Sequence, residues 1–209
     1  MRIKKISYIL HLTPYTFLRG QGLMEMIVAI GVITTGLVTI LALAASSLSG
    51  AKESEARTVA LSLAREGVEV IRNIRDGNWL GGEEVSWDDG LHDGTDYTAV
   101  AKFDKANNLW MPLDFGPDNF EDGKTQFYLT DGVYIQGEFS PPLSARPTFY
   151  RRLLTLDEIC ENDTIQSENS SCVLVGSPKV GIRVTSRVEW TEHERKHSMV
   201  AEDRLYNWK

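Results

Sequence analysis

Charge is missing from one long stretch of this chain, and acid is missing from everything ahead of it. No Asp or Glu precedes Glu25, and neither sign of charge occurs between residues 26 and 51. Cysteine is scarce: Cys160 and Cys172 are the only two, and no C-x2-C pair or other zinc spacing exists, so a structural zinc is not expected. The chain also lacks a phosphate-binding Gly-rich loop, a G-x-S-x-G turn and an H-E-x-x-H pair. Internal repeats and long low-complexity linkers are absent as well. No enzyme is expected. Basic residues are outnumbered, 22 against 29 acids, for a net charge of −7. That balance argues against non-specific nucleic-acid binding, which needs a basic surface.

The uncharged stretch is the strongest positive signal. Its centre, "MIVAIGVITTGLVTILALAA" at 26–45, holds 20 residues, enough for a helix to cross the ~30 Å hydrocarbon core of a bilayer. Thr34, Thr35 and Thr39 are expected to bond back to helix carbonyls, and Gly31 and Gly36 are tolerated in membrane helices. Residues 1–20 carry Arg2, Lys4, Lys5 and Arg19 and no acid, whereas Lys52, Glu53, Glu55 and Arg57 follow the run. Basic excess stays cytoplasmic, so the N-terminus is expected inside and residues 52–209 outside. An ordinary secretory signal has a shorter apolar region and a small-residue cleavage site; "LAASSLSGA" at 43–51 is the nearest imitation. A plain anchor accounts for the span, with Glu25 placed favourably at the helix dipole.

The order basic leader, Gly20, four residues, Glu25, apolar run resembles the class III signal of type IV prepilins and type II secretion pseudopilins. The resemblance implies a cut by prepilin peptidase after Gly20, making Gln21 the first mature residue and Glu25 the fifth; a cut after Gly22 would make Glu25 the third, off the pattern. It also implies that Glu25 meets the new N-terminal amine of a neighbouring subunit, fixing the register of packed helices. Isolated carboxylates in lipid are costly and functional, and buried ion pairs serve register better than stability. One departure stands out: the family's first residue is usually Phe or another apolar residue with a methylated amine, and here it is Gln21, which can cyclise and lose its charge. The implied partners are prepilin peptidase, other pilin or pseudopilin subunits, and an inner-membrane assembly platform. The implied location is the inner membrane in a single pass, then an extracellular or periplasmic filament. Without residues 1–20, 18 basic residues face 29 acids, a balance of −11.

The helix is expected to continue past the membrane. In "ESEARTVALSLAREGVEVIRNIRDGNWL", 53–80, Val59, Leu63, Gly67 or Val68, Ile71 and Ile74 form one stripe at helical spacing. Asp76-Gly77-Asn78 reads as its stop. Residues 23–76 would make about 80 Å of helix at 1.5 Å per residue. "AREGVEVIRNIRDGNWL" also resembles the matching stretch of minor pilins and pilus-modification proteins. Strand patterns follow at 96–104, at 125–139 around the hairpin signal Asp131-Gly132, at 148–160, and at 179–190 and 196–208 around "TEHER". Val180, Ile182, Val184, Ser186, Val188 and Trp190 should form the buried face of their strand, and Pro141, Pro142 and Pro147 mark a loop. The fold class is α+β, one long N-terminal helix packed on a C-terminal antiparallel sheet. The divisions are a leader at 1–20, a membrane half-helix at 21–50, an amphipathic half-helix at 51–78 and an external β-rich domain at 79–209.

Two Asp/Gly-rich segments, 86–97 and 113–125, hold Asp89, Asp93, Asp96, Asp114, Asp118 and Asp122. Calcium takes several oxygen ligands and would find them there; ordinary Asp/Gly turns account for the same pattern, and neither segment fits an EF-hand. His193 and His197 lie in the "TEHER" turn region and read as solvated. A sequon stands at Asn169-Ser170-Ser171. Cys160 and Cys172 bracket a polar loop in a domain expected outside the cytoplasm, where thiols oxidise; their pairing would contribute about 3 kcal/mol by restricting the unfolded chain. A disulfide-bounded loop near the C-terminus also resembles many pilins. The leading expectation is a structural filament subunit, a minor pilin or pseudopilin. The other is a single-span protein whose external domain binds a ligand or partner and never polymerises.

Overall fold

The computed structural model describes residues 21–82, 84–92, 96–104, 107, 109–117, 119–137, 144–167, 170–192 and 194–207. The chain divides into two compact units, Met1–Lys52 and Glu53–Lys209. One helix, α1, spans Gln21–Leu80. The strands are β1 (Thr98–Val100), β2 (Phe103–Asp104), β3 (Leu109–Trp110), β4 (Asp114–Phe115), β5 (Gln126–Thr130), β6 (Val133–Gln136), β7 (Arg146–Cys160), β8 (Ile165–Gln166), β9 (Lys179–Glu192) and β10 (Arg195–Tyr206). The class is α+β, as the sequence indicates.

In the first unit, every described residue from 22 to 52 is exposed, including Leu23, Met26, Ile27, Ile30, Val32, Leu37 and Leu41. Thr34 donates to the Ile30 carbonyl at 2.8 Å, Thr35 to Gly31 at 3.0 Å and Thr39 to Thr35 at 2.5 Å. The hydroxyls are thereby satisfied within the helix. The helix is long and apolar enough to cross a membrane, and among the described residues none of its apolar window is buried.

In the second unit, β7 is the organising strand. One edge pairs with β9 from Tyr150 to Cys160. The other is shared in succession by β5, β1 and β8. Beyond these, β10 pairs with β9, β4 with β1 and β6 with β5, all antiparallel. A separate two-stranded ribbon joins β2 to β3. The predicted hairpin at Asp131-Gly132 is present, with Thr130 opposite Val133 and both turn residues at positive φ, 49° and 80°. That is the backbone a two-residue primed turn requires.

The predicted stripe of α1 covers the sheet. Leu63, Gly67, Val68 and Ile71 are buried, Val59 and Ile74 half-buried, and Ala56, Ala60, Ala64 and Val70 join them. Val68 and Ile71 pack with Leu154, Leu156, Ile182, Val184 and Leu205. Ala60 and Leu63 pack with Phe127, Tyr150, Val188 and Trp190. The tightest approach is at Gly67, where an added Cβ would lie 2.5 Å from Ser186 Oγ and 2.8 Å from Leu154 Cδ2.

Four expectations need correction. The helix does not stop at Asp76-Gly77-Asn78 but runs to Leu80. There the Gly81 N–H bonds back to Gly77 and Asn78, and Gly82 takes the left-handed conformation at φ 87°. The Asp-Gly-Asn triplet imitates a cap, but the Gly-Gly pair after it supplies one. The strand expected at 96–104 is broken, because the Lys102 carbonyl accepts from Met111 N at 2.9 Å and turns the chain into the β2–β3 ribbon. Pro147 lies not in a loop but near the start of β7, opposite Tyr128, a strand position that tolerates a missing donor. The last hairpin is also tighter than "TEHER" suggests, with Glu192 opposite Arg195.

Candidate functional site

The head of α1 is the first candidate. Gly20 lies outside the described residues; Gln21 is within α1, and Glu25 lies one turn further on, exposed. Glu25 is the only charged residue between 21 and 51. A helix apolar on every side must be surrounded by lipid or by other helices. A carboxylate there needs a cation or strong donors from its surroundings. What this placement offers chemically is one negative charge on an apolar surface, available to a cation or to converging donors.

The predicted disulfide is present. Cys160 and Cys172 are joined across 12 positions with Cα atoms 5.4 Å apart. Neighbouring groups hold the loop: Glu158 Oε2 accepts from Cys172 N at 2.7 Å, Tyr97 Oη donates to the Ser170 carbonyl, and Ser177 N donates to the Cys172 carbonyl at 2.9 Å. Lys179 closes the cluster, donating to Asp88 Oδ2 at 2.7 Å and lying 3.6 Å from Glu158. Burial alone would raise the Asp88 carboxyl; hydrogen bonds from Lys179 and Ser86 overcome it and hold the group below the usual range.

The aspartates considered for calcium are dispersed among other tasks. Asp114 pairs with Lys124 at 2.8 Å. Asp122 caps the short turn Gly123–Thr125, accepting from Lys124 N at 2.8 Å. Asp89 and Asp96 are exposed, and Asp93 and Asp118 lie outside the described residues. Among the described residues, no group of three or more His, Cys, Asp or Glu side chains is arranged to hold a metal ion. His197 stacks on Trp190 at 5.2 Å; His193 and Asn169 lie outside the described residues.

Sequence reasoning missed the most deeply buried charge. Arg152 is 1% exposed. It donates to the Leu63 carbonyl at 2.8 Å, Glu66 Oε1 at 3.0 Å and Gln136 Oε1 at 2.9 Å, tying β7 to α1 and β6. Burial pulls its pKa down, and Glu66 opposes the fall. Its signal was in the sequence: successive strand residues face opposite sides, so Arg151-Arg152 must send one guanidinium inward. Asp157, also buried, accepts from Arg183 Nε at 2.9 Å. Comparison with known proteins finds no matching family model, no matching curated protein and no matching solved structure.

Proposed function

We infer that this chain is a structural subunit of a pilus-like or type II secretion filament, a minor pilin or pseudopilin. On this reading it is held in the inner membrane, cut by prepilin peptidase after Gly20, and assembled through α1. One observation carries the reading. From the first described residue, Gln21, to residue 51 a single helix bears Glu25 as its lone charge and is otherwise apolar, with every described side chain from 22 on exposed. Such a surface suits both a bilayer and a bundle of like helices. Leu, Ile and Val would fill the bundle, and Gly31, Gly36, Ala44 and Ala45 would let backbones approach closely. Glu25 would then pair with the amine freed at Gln21 of a neighbour, and the sheet would give the filament its outer surface.

The test is intact-mass measurement with N-terminal peptide mapping, on chain made with and without a prepilin peptidase. A product starting at Gln21, lost on Gly20→Ala substitution or without the peptidase, is the expected result. The same spectra read methylation or cyclisation of Gln21. A Met1 start in both strains would overturn the reading and leave a single-span anchor with an external binding domain. A start near residues 46–52 would make it an ordinary secreted protein.

A further inference from the structure

The sheet of the second unit ends on an open strand. Among the described residues, β10 pairs with β9 alone, and no backbone hydrogen bond links it to any other element. It is 12 residues long, with neither proline nor glycine. Such an edge is a template for a further strand. The parity of its free groups follows from the ladder. Asn207 N donates to the Val180 carbonyl at 2.8 Å, so odd-numbered residues bond inward to β9. The N–H and C=O groups of Lys196, Ser198, Val200, Glu202 and Arg204 therefore point outward from the sheet. The side chains of these five residues are also exposed.

The charges along this edge have an unusual order. From residue 194 to 204 the sequence reads E-R-K-H-S-M-V-A-E-D-R. Reversed about Met199, the charges of the strand meet their opposites: Arg195 faces Asp203 and Lys196 faces Glu202, while Glu194 precedes the strand in the turn at φ 63°. The uncharged centre, 197–201, faces itself. A two-fold antiparallel pair of strands performs this reversal. The register also satisfies the backbone, since it sets even residues against even ones, Lys196 against Glu202 and Ser198 against Val200, where the outward groups are. Shifting either strand by the next allowed step loses the match: one way sets Lys196 against Arg204, the other sets Lys196 against Val200 and leaves Glu202 opposite the turn. Edge charges ordinarily keep strands apart; this order turns them into cross-strand pairs, which favour association. Arg72 already holds Asp203 Oδ2 at 2.6 Å from the helix side, which positions that carboxylate on the strand.

We propose that β10 is a self-recognition edge, joining the external units of two copies of this chain into a closed two-fold dimer through antiparallel β10–β10 pairing centred on Met199. The pairing does not depend on cleavage at Gly20 or on polymerisation. A two-fold contact uses up both edges, so it yields pairs and not fibres.

The experiment is sedimentation equilibrium of the full chain in detergent micelles, at up to about 1 mM protein. A concentration-dependent dimer is expected. Lys196→Glu and Glu202→Lys should each weaken it by about ten-fold or more, because each substitution sets like charges opposite at two symmetric places. The double variant K196E/E202K should restore it. Val200→Pro should abolish it while sparing the β9–β10 ladder, because the N–H it removes points outward. Fluorescence of buried Trp190 checks that each variant is folded. A monomer at every concentration would overturn the proposal. So would a dimer indifferent to K196E and V200P, which would assign association to the membrane helix instead.

Discussion

Arg152 shows how one residue can hold three elements. Its guanidinium is sealed from water yet has a carbonyl, an amide oxygen and a carboxylate around it. Buried charges of this kind add little beyond an apolar replacement when intact, but removing one partner is costly. Arg152→Ala should destabilise the second unit by about 3 kcal/mol, since Gln136 and the Leu63 carbonyl lose their donor in a dry site. Glu66→Gln should cost about 1 kcal/mol or less, because that side chain is partly open to water and the guanidinium keeps its other acceptors. Urea titration followed by Trp190 fluorescence reads both; equal effects would contradict this division of roles. The sequence held half of this. Adjacent arginines in a strand require one to face inward, but which inward partners wait for it depends on β6 and α1, remote in the chain.

At the scale of elements, the crossing of α1 over β9 turns on Gly67. Its stripe was legible from spacing alone, as was the alternation of β9 that ends in Trp190. The closeness of the crossing was not, because it depends on Ser186 and Leu154 arriving together beneath a missing side chain. Ser186 Oγ is buried there without a hydrogen-bond partner among the described residues. Ser186→Ala should therefore stabilise by about 1 kcal/mol, by removing an unsatisfied hydroxyl from the core. Gly67→Ala should gain up to about 1 kcal/mol in helix propensity and lose about 1–3 kcal/mol to overpacking, for a net loss. The two should not add: with Ala at 186 one obstruction is gone, so Gly67→Ala should cost less than in the parent chain. A double-mutant cycle by thermal unfolding measures this coupling, and strict additivity would show that helix and strand do not meet as described. Where sequence misjudged elements, local chemistry offered two equivalent answers. Asp76-Gly77-Asn78 and Gly81-Gly82 are both plausible helix stops, and packing of the last turn chose the second.

For the whole molecule, the useful distinction is between the units. The apolar segment of α1 contributes nothing to the core described in Glu53–Lys209, whereas Ala56, Leu63, Val68 and Ile71 are central to it. A chain starting at Glu53 should be soluble and cooperatively folded, with its disulfide formed. A chain starting at residue 81 should aggregate or stay unfolded, having lost one wall of its core. Circular dichroism and thermal unfolding of the two truncations check this; a folded 81–209 fragment would contradict it. The span, fold class and disulfide were legible because each rests on composition or on residues close in sequence. Arg152, the Lys179 cluster and the edge position of β10 were not, because each depends on which strands become neighbours.

The order of the chain adds a consequence for biogenesis. The stripe on α1 is among the first parts of the second unit to be synthesised, and it packs against Ile182, Val184, Val188 and Leu205, among the last. Contacts so distant in sequence form slowly. While the chain is being made, the stripe therefore lacks its full cover until β9 and β10 have both emerged, and exposed apolar surface at that stage promotes aggregation. Cys160 and Cys172 have emerged before β10 is complete, so the loop can be sealed while the helix still lacks its final wall. Completion of the second unit's core is thus timed by the last hairpin.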